Sequence, residues 1–530
     1  MRKTIIFILT ALILTGCGSK SENTASAGTE VSSQSITGTE EGDENGILTL
    51  WKKDITLQDP FVPTQDLKDL PFMELATSAS EAVPVNIKLR SEKKISDKIE
   101  SIKGGVSAEY AVAEMSEGVK EKYPKIWAAM NSFNEFAEQN SILEITDGET
   151  RYEAYRMKKD VPSFLYLSSW TGIEITRADS GILSFFRTAY RYNREIEPDY
   201  HEIYGMSIDP VTGRILSLND IFTDTKDLPQ MIWDALVRSG WRNDTDPDRE
   251  EFLEILRTAV QGCRDDGSFA WALDPLGIEF GLNEARAEDG KEYHKRERAY
   301  IPFSLCKDIL RPGIYGAAYD YMVHLTEKDV EGVTKLDIPS PENDNSYLAY
   351  YIVQKSGARH LYCTTDNRTD LYRITEDGLE KTGEVKAEIS YEHNGHMSVP
   401  LSPDRYRLEK TVNLLQELFL EAAAHSDDEG MVVRDGYYEM KTNPIPIITG
   451  PAFEAEIFEN SESSESAIGT IPEHTLLTIV RSDGESFIDC KLEDEDWIAR
   501  LYAEQNEAGG LIINGHPADD LIAQQGWMEE

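Results

Sequence analysis

Three groups of residues in this chain are spaced closely enough to share a ligand or a proton. Asp244, Asp246 and Asp248 alternate as the first ligands of a calcium loop do, because a hard cation takes several carboxylate oxygens from one turn. Such a loop also needs Gly at its sixth position and Glu at its twelfth, where this chain has Arg249 and Ile255. The same carboxylates suit the acidic start of a helix, with Asp246 as N-cap and Pro247 in the first helical position. In His393-Asn394-Gly395-His396 the Asn-Gly pair favours a two-residue hairpin that sets two imidazoles opposite one another, with Glu392 on the other face. Two ligands fall short of the three or four of a zinc site, so an exposed hairpin turn is expected there. His201-Glu202 and the aromatics Tyr190, Tyr192 and Tyr200 are placed either to line a groove or to form a partly buried sheet face. H-E-x-x-H, G-x-S-x-G, the P-loop and G-x-G-x-x-G are absent. The expectation is a non-enzymatic chain with no catalytic residue, no metal ligand and no cofactor.

The cysteine best placed for chemistry is Cys17. Arg2 and Lys3 form a positive start, residues 4 to 15 are almost wholly apolar, and Leu14-Thr15-Gly16-Cys17 follows. A permanent span takes about 20 apolar residues, so this stretch is short for one. The tetrad resembles a bacterial lipobox, which implies cleavage between Gly16 and Cys17 and a diacylglycerol on the Cys17 thiol. Residues 1–16 are then a lipoprotein signal peptide, and lipid on Cys17 holds the chain to the cell membrane on its extracytoplasmic face. Residues 17–47 are the lipidated cysteine and a Ser/Thr/Glu-rich linker with too little apolar surface to fold. Cys263, Cys306, Cys363 and Cys490 include no C-x-x-C pair, and no disulfide is expected.

Composition limits the partners. Of 530 residues, 53 are Lys or Arg and 96 are Asp or Glu, a formal charge of −43. Losing Arg2 and Lys3 with the leader takes this to −45. Such a field repels phosphate backbones, which excludes nucleic acid, and favours a basic partner. A hydrophobic share of 40% supports packed cores, and the length suggests about three domains.

Periodicity places these residues on elements. Residues 95 to 101 and 107 to 141 read as helical, broken at Tyr123-Pro124, with Trp127, Met130, Phe133 and Asn134 on one stripe. Residues 182 to 192 alternate as a half-buried strand; residues 203 to 208 and Ile215 to Leu218 flank the turn Asp209 to Gly213 as a hairpin. Two helices follow between 228 and 263, the second burying Phe252, Leu256 and Val260. A hairpin then turns at Asp274-Pro275-Leu276-Gly277, and a strand from Tyr300 to Phe303 leads into a helix ending near Leu310. This order predicts an α+β fold with helices on one face of an antiparallel sheet over residues 48–340. The polar, Pro-containing stretch 337 to 346 marks a boundary. Residues 341–440 read as mainly β, with strands at Tyr347 to Val353, His360 to Thr365, Leu371 to Ile374 and Glu384 to Tyr391, and helix only over 403 to 425. Residues 441–530 carry short strands and a tight turn at Asp483-Gly484, as in a small SH3-like or OB-like β-barrel.

Several of these segments together resemble a known family. Tyr123-Pro124-Lys125-Ile126 with Asn131, ILSFF at 182 to 186, MSIDPVTGRILSLNDIF at 206 to 222, FAWALDPLGIEFGLNE at 269 to 284 and YIPFS at 300 to 304 occur in the order and spacing of the extracellular domain shared by RsiV-like anti-sigma factors and PdaC-type deacetylases. The resemblance covers about residues 85–312. It implies a ligand-binding domain, since the RsiV domain binds lysozyme, a strongly basic protein. Here Asn193 to His201 replaces the family's Gly-Gly-Ala-His loop, and the charged run Arg286 to Arg298 precedes the last strand. The resemblance and the charge together lead to the expectation of a membrane-anchored binding lipoprotein whose partner is a basic protein such as lysozyme or a cell-wall component. The alternative is a cell-envelope, peptidoglycan-related enzyme or enzyme accessory protein with a dispersed active site.

Overall fold

The computed structural model describes residues 71–96, 104–157, 165–192, 200–261, 269–288, 291–325, 348–365, 368–393, 396–401, 420–440, 445–460, 463–492, 497–506 and 510–525, with Phe61, Leu67, Lys98, Ile99 and Asp329 between them. The leader, Gly16, Cys17 and the linker lie outside these residues, as do Cys263 and the boundary at 337 to 346.

The first sheet is β1 (Lys88–Ile95), β2 (Gly104–Glu114), β3 (Leu165–Ala178), β4 (Leu183–Tyr192) and β5 (Tyr200–Ile208), hydrogen-bonded in that order. Only β2 and β3 run parallel, which requires a long crossover between them. Helices α1 (Glu117–Lys122) and α2 (Pro124–Arg156) supply it. Pro124 opens α2 at the expected break, where its missing N–H costs nothing. Met130 and Phe133 are fully buried against Ile175 and Phe185 of the sheet, and Trp127 packs at the edge of that core. Asn134, from the same stripe, exchanges two 2.8 Å hydrogen bonds with the Ala113 backbone and ties α2 to β2.

Residues 107 to 114, expected to be helical, form β2. Ala and Glu there favour a helix by propensity, but Val106, Ala108 and Tyr110 alternate as buried positions on one face and Ala111 and Ala113 are buried on the other, as in a strand with β1 and β3 on its two sides. Ile95 likewise ends β1. Residues 182 to 192 do form a strand, yet it is covered on both faces at its start. Phe185 enters the core under α2 and Phe186 enters the layer beneath, each no more than 1% exposed.

That layer is a second sheet, β6 (Phe269–Leu273), β7 (Gly277–Glu288) and β8 (Lys291–Pro302). Ala270 and Ala272 face Phe186 and Ile203 of the first sheet, and the small side chains let the backbones approach. At Gly205 an added Cβ would lie 2.1 Å from the Trp271 carbonyl oxygen, so only glycine fits. The opposite residues, Phe269, Trp271 and Leu273, join one core with α4 (Leu228–Arg238) and α5 (Arg249–Gln261), while α3 (Leu218–Ile221) is a single turn. Trp233 at its centre is fully buried; a side chain of this kind contributes about 1.5–3 kcal/mol or more by leaving water. The helices therefore lie outside two stacked sheets, α2 on one side and α4 with α5 on the other, and not on one face of a single sheet. The arrangement remains a mixed α/β one with antiparallel sheets.

Three local expectations change. Ile215 makes one isolated bridge to Ile208, and Leu218 begins α3 because Ser217 and Asp220 form a capping box. Helix α5 starts at Arg249, two residues beyond Pro247. The helix expected before Leu310 is one 3₁₀ turn, Phe303–Leu305.

The third sheet is β9 (Tyr321–Leu325), β10 (Leu348–Val353), β11 (Arg359–Thr365), β12 (Arg368–Thr375) and β13 (Gly378–Val385), all antiparallel. Strand β9 precedes the division expected at 340, yet it pairs with β10 beyond it. Leu276 and Tyr300 share a core with Tyr321, Tyr351 and Leu361, so packing crosses that division too. Instead of one strand over 384 to 391, β13 ends at Val385 and β14 (Ser390–His393) begins after a break.

The remaining strands are β15 (His396–Pro400), β16 (Leu420–Ser426), β17 (Val432–Arg434), β18 (Tyr438–Met440), β19 (Ile445–Thr449), β20 (Phe453–Phe458), β21 (Ser466–Ile471), β22 (Leu476–Ser482), β23 (Phe487–Leu492), β24 (Ile498–Gln505), β25 (Leu511–Ile513), β26 (His516–Pro517) and β27 (Ile522–Gln525). Leu420 to His425, expected to end a helix, is strand; residues 402–419 lie outside the described residues. Together with β14, these strands join one branched 14-stranded sheet. Among the described residues its pairings trace no closed barrel. Gly484, at φ +78°, makes the expected turn between β22 and β23.

Candidate functional site

The segments that carry the family resemblance converge on turns, and each turn is held by one aspartate. Asp209 Oδ1 accepts the Val211 N–H at 2.9 Å, the Thr212 N–H at 2.7 Å and the Thr212 hydroxyl at 3.1 Å. Asp220 accepts the Ser217 N–H and hydroxyl at 2.8 Å each, the Met73 N–H at 2.9 Å, and a two-pronged contact from Arg214 at 3.1 Å. Asp274 accepts the Leu276 N–H at 2.6 Å, the Gly277 N–H at 2.8 Å and the Tyr300 hydroxyl at 3.0 Å. Ser184 of the ILSFF segment accepts the Leu273 N–H at 2.7 Å and bonds Ser207 at 2.7 Å, stitching the two stacked sheets together. Each motif residue thus satisfies backbone donors that the turns would otherwise bury unpaired.

Asp274 is the group in this region with acid–base potential. Burial, the largest cause, pushes its carboxyl up to about 7, against the hydrogen bonds from Leu276, Tyr300 and Gly277. A carboxyl that titrates near neutrality beside a tyrosine has the chemistry of a general acid or base. Its geometry does not. Asp274 is only 8% exposed, Tyr300 only 4%, and all three donors are internal, so the pair locks the β6–β7 turn onto β8.

Beside it lies an ion pair that sequence reading missed. Arg177 and Asp179 are buried at 1% and 0% exposure and meet at 2.7 Å. Asp179 also accepts the Gly181 and Ile182 N–H groups at 2.7 and 2.8 Å and the Tyr319 hydroxyl at 2.9 Å; Arg177 donates to the Ile314 carbonyl at 2.8 Å. The pair clamps the segment before β9 to the end of β3. Its one local signal is Arg177-Ala178-Asp179-Ser180-Gly181, a strand end running into an Asp-anchored turn; the Tyr319 partner is 140 residues away. Arg187, also missed, stacks between the rings of Phe136 and Tyr204 at 4.1 and 4.0 Å.

Among the described side chains, the residues singled out for chemistry do not converge on one another. Asp248 pairs with Arg242 at 3.2 Å, and Arg242 in turn holds the buried Glu297 at 2.9 Å. Asp246 accepts the Asn243 N–H at 3.0 Å, closing the turn before α5. Among the described residues no three His, Cys, Asp or Glu groups are gathered for a metal. His393 is the backbone partner of His396 where β14 and β15 pair, and Tyr190 pairs with His201, Arg191 with Tyr200 and Ala189 with Glu202. The side chains of Tyr192, Tyr200, His201, Glu202, Glu392, His393 and His396 lie outside the described ones. Tyr190 is exposed, while its neighbour Arg191 turns to Glu144 of α2 at 2.6 and 2.7 Å. Cys306, Cys363 and Cys490 are buried, and burial pushes the Cys306 thiol up to about 11.

Neither a family model nor a curated protein matches the chain. Solved structures do. A DUF3298-family protein from Bacteroides fragilis NCTC 9343 is similar over 43% of this chain and 96% of its own, at 16% identity and a TM-score of 0.29. A DUF3298-family protein from Pseudomonas aeruginosa PAO1 is similar over 44% of this chain and 98% of its own, at 11% identity and a TM-score of 0.28.

Proposed function

We propose that the chain is a lipid-anchored, extracytoplasmic binding protein whose residues 85–312 recognise a basic protein such as lysozyme or a cell-envelope component, and that it is not an enzyme. The observation that carries this reading is the use made of the motif carboxylates. Asp209, Asp220 and Asp274 are each spent on backbone and neighbouring donors inside the fold. A module whose signature residues are consumed by its own turns acts through the surface those turns present. The overall charge of the anchored chain, −45 without Arg2 and Lys3, attracts a cationic partner to the molecule as a whole. Anchoring rests on the Leu14-Thr15-Gly16-Cys17 tetrad.

Lysozyme binding by the purified full chain, compared with an equally acidic unrelated protein at low and moderate salt, tests the ligand. Binding above that control at moderate salt is expected, and parity with it removes the lysozyme reading. For the anchor, Cys17→Ser should leave the chain unprocessed or release it from the membrane fraction. A variant that stays membrane-bound at the mature size without incorporating labelled lipid would overturn it.

A further inference from the structure

An open cleft of about 1100 Å³ lies in the C-terminal unit, the part of the 14-stranded sheet within residues 441–530, far in sequence from residues 85–312. Its floor is built where two strands separate. β20 and β24 pair from Phe458 and Ile498 as far as Glu456 and Arg500, and then part. Asn514 fills the gap: its side-chain amide donates to the Glu454 carbonyl at 2.9 Å, its side-chain oxygen accepts the Tyr502 N–H at 2.8 Å, and its own N–H donates to the Tyr502 carbonyl at 2.8 Å. It does so at φ +49°, a backbone conformation that asparagine tolerates better than most residues. The floor is therefore held by internal bonds before anything enters.

The walls combine two characters. Ile468 is 67% exposed and Tyr502 45%, so two large apolar surfaces face solvent in the cleft on either side of β20. Around it stand the carboxylates of Glu454, Glu485, Glu504 and Asp520, all exposed and with no ion-pair partner among the described residues. Glu456 accepts the Tyr502 hydroxyl at 2.7 Å, and this bond holds the Tyr502 proton above the usual phenol range. Among the described residues that line the cleft none is Lys or Arg and His516 is the one basic side chain; Arg500, beside Tyr502, is held on Asp489. Residues 441–530 as a whole carry 19 Asp and Glu against 4 Lys and Arg.

We propose that this cleft binds an extended, lysine- or arginine-bearing peptide segment. Long basic side chains match both wall types, since an alkyl stem can lie on Ile468 or Tyr502 while the charged head reaches a rim carboxylate. A bare divalent cation does not fit, because the carboxylates do not converge as a coordination shell. The site is independent of the lysozyme reading, which concerns residues 85–312.

The test uses the full chain and fluorescein-labelled octalysine at about 0.15 M salt, where long-range attraction is largely screened. Glu454→Lys with Glu504→Lys should weaken binding about tenfold or more, by replacing two attractions with repulsions. Glu376→Lys with Asp377→Lys, an equally exposed acidic pair in the turn between β12 and β13, should change it less than about twofold. Equal losses in both variants, or none in the first, would overturn the proposal. Carbodiimide coupling of peptide amines to the unmodified chain keeps it testable should a variant fold poorly. Coupling sites concentrated on Glu454, Glu485, Glu504 and Asp520 support the cleft. Sites scattered over exposed carboxylates of the whole chain refute it.

Discussion

Residues 85–312 carry 41 Asp and Glu against 31 Lys and Arg, whereas residues 441–530 carry 19 against 4. The excess is thus 10 negative charges over the longer stretch and 15 over the shorter. The use of those charges differs as much as their number. In the first region acids are matched to bases inside the fold: Arg177 with Asp179, Arg191 with Glu144, Arg214 with Asp220, Arg242 with Glu297 and Arg298 with Glu279. In the second, the buried Asp489 takes both Arg481 and Arg500, and Glu454, Glu485, Glu504 and Asp520 have no ion-pair partner among the described residues. Recognition by residues 85–312 would therefore rest on shape and turn geometry, and long-range attraction of cations on the C-terminal unit.

The largest effect that separates the regions is predicted for a fully buried against a half-buried aspartate. Asp179→Ala strands a buried guanidinium and three donors, and should cost about 3–5 kcal/mol of unfolding free energy. Asp483 makes a similar turn at the surface, accepting the Glu485, Ser486 and Phe487 N–H groups at 2.8–3.1 Å. Water can replace it there, so Asp483→Ala should cost only about 1 kcal/mol. Urea unfolding followed by circular dichroism measures both, and equal losses would mean that the first region is not the one organised by buried charge.

A smaller effect, of opposite sign in the two regions, is predicted for pH. The folded Asp274 carboxyl keeps its proton up to about pH 7, whereas its ordinary value is 3.8. Folding takes up a proton between these values, so the contribution of Asp274 is greatest below about pH 4 and is lost as pH rises to 7. For Asp483, burial opposes its charge, but Ser486 and the three backbone N–H groups hold the carboxyl below its ordinary value. That contribution is present above about pH 4 and is lost as pH falls below it. Asp274→Asn retains an acceptor for Leu276 and Gly277 and removes the titration. The urea midpoint of the variant should fall less than that of the parent between about pH 4 and 7; parallel curves would place the titration elsewhere.

Sequence made some of this visible and concealed the rest for physical reasons. Pro124, the Asp274-Pro275-Leu276-Gly277 turn and the buried stripe Phe252, Leu256 and Val260 stand where local chemistry puts them, because a turn or a helix face is specified within a few residues. Strand β2 was concealed by Ala and Glu, whose helix propensity is outweighed by partners on both sides, β1 and β3. The stacking of two sheets depended on Gly205, Ala270 and Ala272, small residues that carry no periodic signal. The clamp of Arg177 and Asp179 on Tyr319, and the pairing of β9 with β10, join segments that no local window contains together. The cleft was concealed likewise, since Asn514 meets Glu454 across 60 residues.

The smallest predicted effect concerns lysozyme itself. If residues 85–312 supply the contact surface, the cleft carboxylates act on a basic protein only through their long-range field. That field steers encounter and does not hold the complex, so removing two charges changes the association rate far more than the dissociation rate. Glu454→Gln with Glu504→Gln should slow lysozyme association by less than about threefold at low salt. At about 0.15 M salt, where the screening length is near 8 Å, the difference should vanish. Surface plasmon resonance on the full chain resolves the two rates. A larger loss that persists at moderate salt, or one expressed in dissociation, would place lysozyme on the cleft and leave residues 85–312 without the ligand proposed for them. An unchanged rate at both salts would confine the field of the C-terminal unit to partners that enter the cleft itself.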